Sequence, residues 1–177
     1  MDKDGVAMAS SSDLMDDPRA LYVFALQDLH DAVVALIERL PVILANADAP
    51  GLKEIIERDR ERAVDKRNLL ESNLRALGAK VRGGACVWMR AVLDDADNDA
   101  ATIAAGPWRD VALVGALRKA KQAERVSYET AIALARSVAA SQAAALGSIR
   151  DGESDMDGTL SDLLSALCDE GGCEPSS

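Results

Sequence analysis

Asp59, Glu124 and Glu153 are the residues of this chain that could hold a cation, since carboxylates are the hard oxygen donors that iron, manganese and calcium accept. Arg62, Lys66 and Lys121 share their positions in the pattern, and three cations facing three carboxylates would make an ion-pair network instead. All six interrupt apolar stripes. Leu52, Ile55 and Ile56 lead through Asp59, Arg62, Ala63 and Lys66 to Leu70, Leu74 and Leu77. Val111, Val114 and Leu117 lead through Lys121 and Glu124 to Tyr128, Ala131 and Ala135, and Leu146 and Ile149 lead through Glu153 to Leu160 and Leu163. One such break is a long side chain snorkelling to water. Three breaks at a common depth point to a shared polar layer, to which a further stripe contributes only Val33.

The stripes repeat at three and four residues, so helices must position the layer. Asp17-Pro18 supplies an N-cap and a first-turn proline for a long helix carrying Tyr22, Leu26, Leu29, Val33, Leu36, Leu40 and Leu44, with Pro41 expected to kink it without ending it. The second helix is expected over 50–77, with Gly78 as its stop, and a short helix over 87–103. Gly106-Pro107 opens the third long helix, to about Ala140, and Ser141 would cap the fourth, which Gly147, Gly152 and Gly158 weaken. The fold class is all-α: a four-helix bundle with one short extra helix between the second and third long ones. Its domain spans 18–167, between a disordered leader (1–17) and a flexible tail (168–177).

Composition agrees. Hydrophobic residues make up 49% and aromatics 3%, so aliphatic side chains must build the core, as in closely packed helices. A net charge of −10 argues against nucleic acid, which needs a cationic surface, and against anionic lipid. No stretch is expected to span a membrane, and the acidic, serine-containing N-terminus does not read as a signal peptide, so the expected location is cytoplasmic.

Other chemistries find little support. Cys86, Cys168 and Cys173 form no disulfide framework, and no metal-ligand pattern completes the last two. Glu153-x-Asp155-x-Asp157-Gly158 echoes a calcium loop, but it begins with Glu and has Leu164 where the closing glutamate belongs. The single histidine, His30, reads as a partly exposed helix residue. A ferritin-like di-metal site needs two Glu-x-x-His pairs, and the chain has none. No residue is assigned a catalytic or cofactor-binding role.

Asp28-Leu29-His30-Asp31-Ala32, Leu40-Pro41, Leu52-Lys53-Glu54 with Gly78, Cys86-x-x-Met89, Arg109-Asp110-x-Ala112-Leu113 and Glu124-x-x-x-Tyr128-x-Thr130 stand in the order and spacing of one known family. From about Leu21 to Leu163 the chain resembles the YciE/YciF ferritin-like proteins. The resemblance implies a dimeric bacterial bundle associated with stress responses, with a carboxylate-rich metal centre. It also implies that the family's ligands fall at Val33, Asp59, Arg62, Lys66, Lys121-Gln122 and Asp151-Gly152-Glu153, so that only Glu124 and Glu153 remain as carboxylates matching that pattern. The expectation is therefore a non-catalytic, stress-related bundle without cofactor, acting as a homodimer or as a scaffold for a protein partner. In it Arg62, Lys66 and Lys121 pair with Asp59, Glu124 and Glu153. The alternative is an iron or manganese redox protein using Asp59, Glu124 and Glu153.

Overall fold

In the computed structural model, which describes residues 16–81 and 86–170, the Asp17 carboxylate accepts the backbone N–H groups of Arg19 (3.1 Å) and Ala20 (3.2 Å) and opens α1, Pro18–Asn46. The helix runs through Pro41, as its resumed apolar spacing requires. α2, Pro50–Ala76, ends in a Schellman arrangement: Ala79 N–H donates to Leu74 O (3.0 Å) and Gly78 N–H to Arg75 O (2.9 Å), with Gly78 at φ +67°, where a Cβ would be strained. α3 spans Val87–Thr102, α4 Pro107–Val138 and α5 Ala140–Glu170. There is no strand among the described residues.

Two boundaries differ from the sequence reading. Only Ala139 separates α4 from α5, so Ser141 lies inside the first turn of α5 and is not its cap. α5 also continues past Leu167 to Glu170, which places Cys168 on the helix. The rest of the expected tail from 171, with Cys173, and the expected leader up to 15 lie outside the described residues. The glycines do not interrupt α5, because buried Leu146, Met156, Leu160 and Leu167 anchor it on α4.

α1 pairs with α2 and α4 with α5; α1 packs on α4, α3 lies on both, and α2 meets α5 along a thin seam. Leu26, Leu36, Leu40, Leu52, Ile56, Leu70, Leu74, Leu113 and Leu146 are among the buried core residues. Contrary to the sequence expectation, α1 is long and apolar enough to cross a membrane by length and composition. Half of its most apolar window is buried, and its apolar face is core.

Two polar latches tie the turns. From the first turn of α4, buried Asp110 accepts Asp48 N–H (2.9 Å) and Ala49 N–H (2.7 Å) at the start of α2. Asp48 returns the contact, accepting Gly106 N–H (2.7 Å) and Arg109 Nη2 (3.1 Å). At the other latch, buried Asp31 of α1 accepts the Cys86 N–H and Arg90 Nη2 (3.1 Å), while Asp28 accepts Trp88 Nε1 (2.9 Å). His30, expected to be partly exposed, is buried with Nε2 3.5 Å from Glu71, because it faces α2 beside this latch. Cys86 is fully buried, and burial first, then Asp28 and Asp31, push its thiol up to about 12, so it is an inert thiol.

Asp110→Ala strands two N–H groups at a helix start and should cost roughly 2–4 kcal/mol, at about 1–3 kcal/mol for each orphaned donor less what water recovers. Urea denaturation measures it; an unchanged midpoint would mean that the turns hold without this carboxylate.

Candidate functional site

α2 carries Asp59 and Lys66 two turns apart with Ala63 between them; α4 carries Lys121 and Glu124, and α5 carries Glu153. Helical periodicity turns all five inward, and each is at least 96% buried. Lys66 Nζ lies 2.7 Å from Glu124 Oε1 and 3.0 Å from Glu153 Oε1. Lys121 Nζ lies 2.8 Å from both oxygens of Asp59, 2.8 Å from Glu124 Oε2 and 3.0 Å from Glu153 Oε2. The result is a closed ring in which Glu124 and Glu153 each bridge the same two ammonium nitrogens, and Asp59 binds Lys121 as well.

Arg62 is not part of the ring. It is exposed, with Nη1 3.4 Å from Gly152 O. Its position beside Ala63 turns it to the α2–α5 seam, and the bare Gly152 leaves it room: a Cβ there would lie 3.1 Å from Arg62 Nη2. The expected Arg62–Asp59 pair is replaced by Lys121–Asp59, so the layer holds two cations against three carboxylates. Val33 is fully buried and brings no charge from α1.

Burial would lower the Lys121 pKa, but Asp59, Glu124 and Glu153 together reverse it and hold the ammonium well above the usual lysine range. For Glu153 burial raises the pKa, and Lys121 with Lys66 overrides it, bringing the carboxylate down to about 2. Glu124 is fully enclosed, and there burial prevails over the same two lysines and lifts it. Of the two bridging carboxylates, Glu124 is therefore held less firmly in its ionised form than Glu153.

Sequence reasoning missed two contributors. Tyr128, one turn beyond Glu124, is fully buried; its hydroxyl has no partner among the described residues, and burial, then Glu124 and Glu153, keep it a neutral phenol. The Glu124-x-x-x-Tyr128 spacing was the signal. Asp157, one turn beyond Glu153, accepts Arg118 Nε (2.8 Å) and Gln122 Nε2 (2.7 Å). These bonds, with the unbroken helix, also overturn the calcium-loop echo: Glu153 and Asp157 face α4 while Asp155 is exposed on the opposite side.

A pair of metal ions does not fit these residues. The oxygens that would ligate them already surround tethered ammonium groups, and no cluster of three or more His, Cys, Asp or Glu side chains among the described residues is open to an ion. Two divalent ions beside Lys66 and Lys121 would meet strong repulsion at low dielectric.

A family model described as "Domain of unknown function (DUF892)" matches residues 17–171. Among solved structures, the stress protein YciF of E. coli superposes with a TM-score of 0.82 at 21% identity, over 88% of this chain and 99% of that one. YcfI, a proposed structural protein from Rhodopseudomonas palustris, superposes with a TM-score of 0.80 at 22% identity, over 86% and 98%. No curated protein matches.

Glu124→Ala removes one of the two bridges, leaves Lys66 with Glu153 alone and opens a cavity beside it, and should destabilise by roughly 3–5 kcal/mol, whereas Arg62→Ala should change stability by no more than about 0–1 kcal/mol. Replacing all five ring residues together with Leu and Met should cost much less than Glu124→Ala. Equal denaturation midpoints for wild type and Glu124→Ala would show that these charges are solvated. pH adds a second readout. Lys121 is raised, so its contribution is full below its unfolded pKa of about 10.4 and is lost as pH climbs towards the higher folded value. Glu153 is depressed, so its contribution is full above about 4.3 and lost towards 2, while raised Glu124 opposes that loss. Thermal melts of Lys121→Met should lose part of the alkaline limb that wild type shows above about pH 10.

Proposed function

This chain belongs to the DUF892 family, and we propose that it is a non-catalytic, ferritin-like bundle protein of the cytoplasm, stress-related, in which a lysine–carboxylate ring fills the place of a di-metal centre. One observation carries the reading: Glu124 and Glu153 bridge Lys66 Nζ and Lys121 Nζ as bridging glutamates would bridge two metal ions. The ring ties α2, α4 and α5 in one register and requires no cofactor. The shared fold with a stress protein and with a proposed structural protein supports a role in assembly over one in turnover.

Activity then resides on the outer surface, as a homodimer or a scaffold for another protein. Leu21 and Phe24 of α1 and Val126 of α4 are about half exposed, beside a shallow groove that Ala25, Ser127, Thr130 and Leu134 help to line. Exposed apolar residues gathered across two helices are what an interface would cover.

Protein purified without chelator should carry well under one iron or manganese per chain by elemental analysis, and should sediment as a dimer that Phe24→Glu with Val126→Glu converts to monomer. Stoichiometric metal lost on Glu153→Gln would overturn the ring's role. A wild-type monomer that captures no partner would overturn the interface.

A further inference from the structure

Three of the four connections in this bundle are built to stop a helix. Asp48 and Asp110 lock the α1–α2 turn ahead of Pro50, Gly78 ends α2 at positive φ, and Gly106-Pro107 opens α4. The α4–α5 connection has none of this. It consists of Ala139 alone, at φ −151° and ψ 62°. Eight of the sixteen residues from Ala131 to Leu146 are alanine, and none is glycine, proline, asparagine or aspartate. Such a sequence favours continuing a helix over turning it.

The turn is also lightly held. Across it run Ala139 N–H to Ala135 O (2.7 Å) and Gln142 N–H to Ala139 O (2.9 Å), and no residue between Ala135 and Leu146 is buried. Returning Ala139 to helical torsions would let Ala140, Ser141 and Gln142 donate to Arg136, Ser137 and Val138. α4 and α5 would then be one helix from Pro107 to Glu170.

α5 can be supplied by another molecule. It packs mainly on α4, and on α2 along a thin seam interrupted by a cleft of about 360 Å³. Its main polar contacts all cross to other helices: Glu153 to Lys66 and Lys121, Asp157 to Arg118, Gln142 to Tyr22. A second copy's α5 makes every one of them equally well.

We infer that a second copy of this chain is a partner through exchange of α5. Both chains straighten through Ala139, each α5 docks in the other bundle, and each ring is completed by Glu153 of the partner subunit. The contacts are kept and helical hydrogen bonds are gained at each hinge, against the entropy of association, so concentration favours the exchanged form. Withdrawing α5 takes Glu153 from both lysines and exposes Leu146, Met156 and Leu160, so exchange is confined to refolding and a formed dimer persists on dilution. Leu21, Phe24 and Val126 take no part, which separates this dimer from one made through the surface.

The test uses the full-length chain with Phe24→Glu and Val126→Glu, which removes the surface dimer. Arg118→Cys and Asp157→Cys serve as reporters, at side chains that meet at 2.8 Å, and Cys168→Ser with Cys173→Ser silences other thiols. After denaturation and refolding at high protein concentration, size-exclusion fractions are treated with a short bis-maleimide and run on denaturing gels. The expected result is a dimer fraction that survives dilution and gives a two-chain cross-linked product, beside a monomer fraction that gives a one-chain product. Measured without the reporter cysteines, Ala139→Gly, which suits a turn and weakens a straight helix at both hinges, should cut the dimer yield several-fold. Refolding to monomer alone, a dimer whose cross-links stay within one chain, or a yield unchanged by Ala139→Gly would each overturn the exchange.

Discussion

Two lysine nitrogens, each within 3.0 Å of carboxylates from at least two helices, set the terms for the rest of this bundle. Ions taken from water cost several kcal/mol each, and the cost is recovered only when the geometry of pairing is right. The geometry here is right only in one register. Lys66 on α2 reaches Glu124 on α4 and Glu153 on α5, while Lys121 on α4 reaches back to Asp59 on α2 and across to Glu153. Sliding any of these helices by one turn, about 5.4 Å, would leave an ammonium or a carboxylate alone in the core. Aliphatic stripes with few aromatics are permissive about register, so the ring adds specificity where the hydrophobic core is weakest at providing it.

The same constraint accounts for the periphery. The turn latch of Asp48, Gly106, Arg109 and Asp110 holds the α1–α2 and α3–α4 connections against each other at one end. Asp28 and Asp31 fix the start of α3, so that it lies on α1 and α4. What remains loosely closed is the α2–α5 seam, where Gly152 admits Arg62 and leaves the cleft.

The fold was legible because its signals are local or periodic: Asp17-Pro18, Gly78 and Gly106-Pro107 mark helix ends, and the apolar stripes mark faces. The polar layer was legible as a set of interruptions. Five of its six expected members meet, because a charge replacing a stripe residue must follow the stripe inward. Arg62 failed that logic: it is three residues from Asp59 yet adjacent to Ala63, and only the neighbouring helix, through Gly152, decides which side of the seam it takes. His30, Asp31 and Asp110 were quoted as pattern without a physical role, since their partners are backbone N–H groups and side chains far along the chain. The Glu153–Asp157 spacing looked like a loop in one dimension and is one turn of helix in three.

We propose that ammonium groups stand where metals would. Anomalous diffraction from crystals grown with added manganese examines it most directly. The expected map shows Lys66 Nζ and Lys121 Nζ within about 3 Å of Glu124 and Glu153, as charge-assisted hydrogen bonds require, and no anomalous peak among Asp59, Glu124 and Glu153. A peak there, with the lysines turned away, would contradict it.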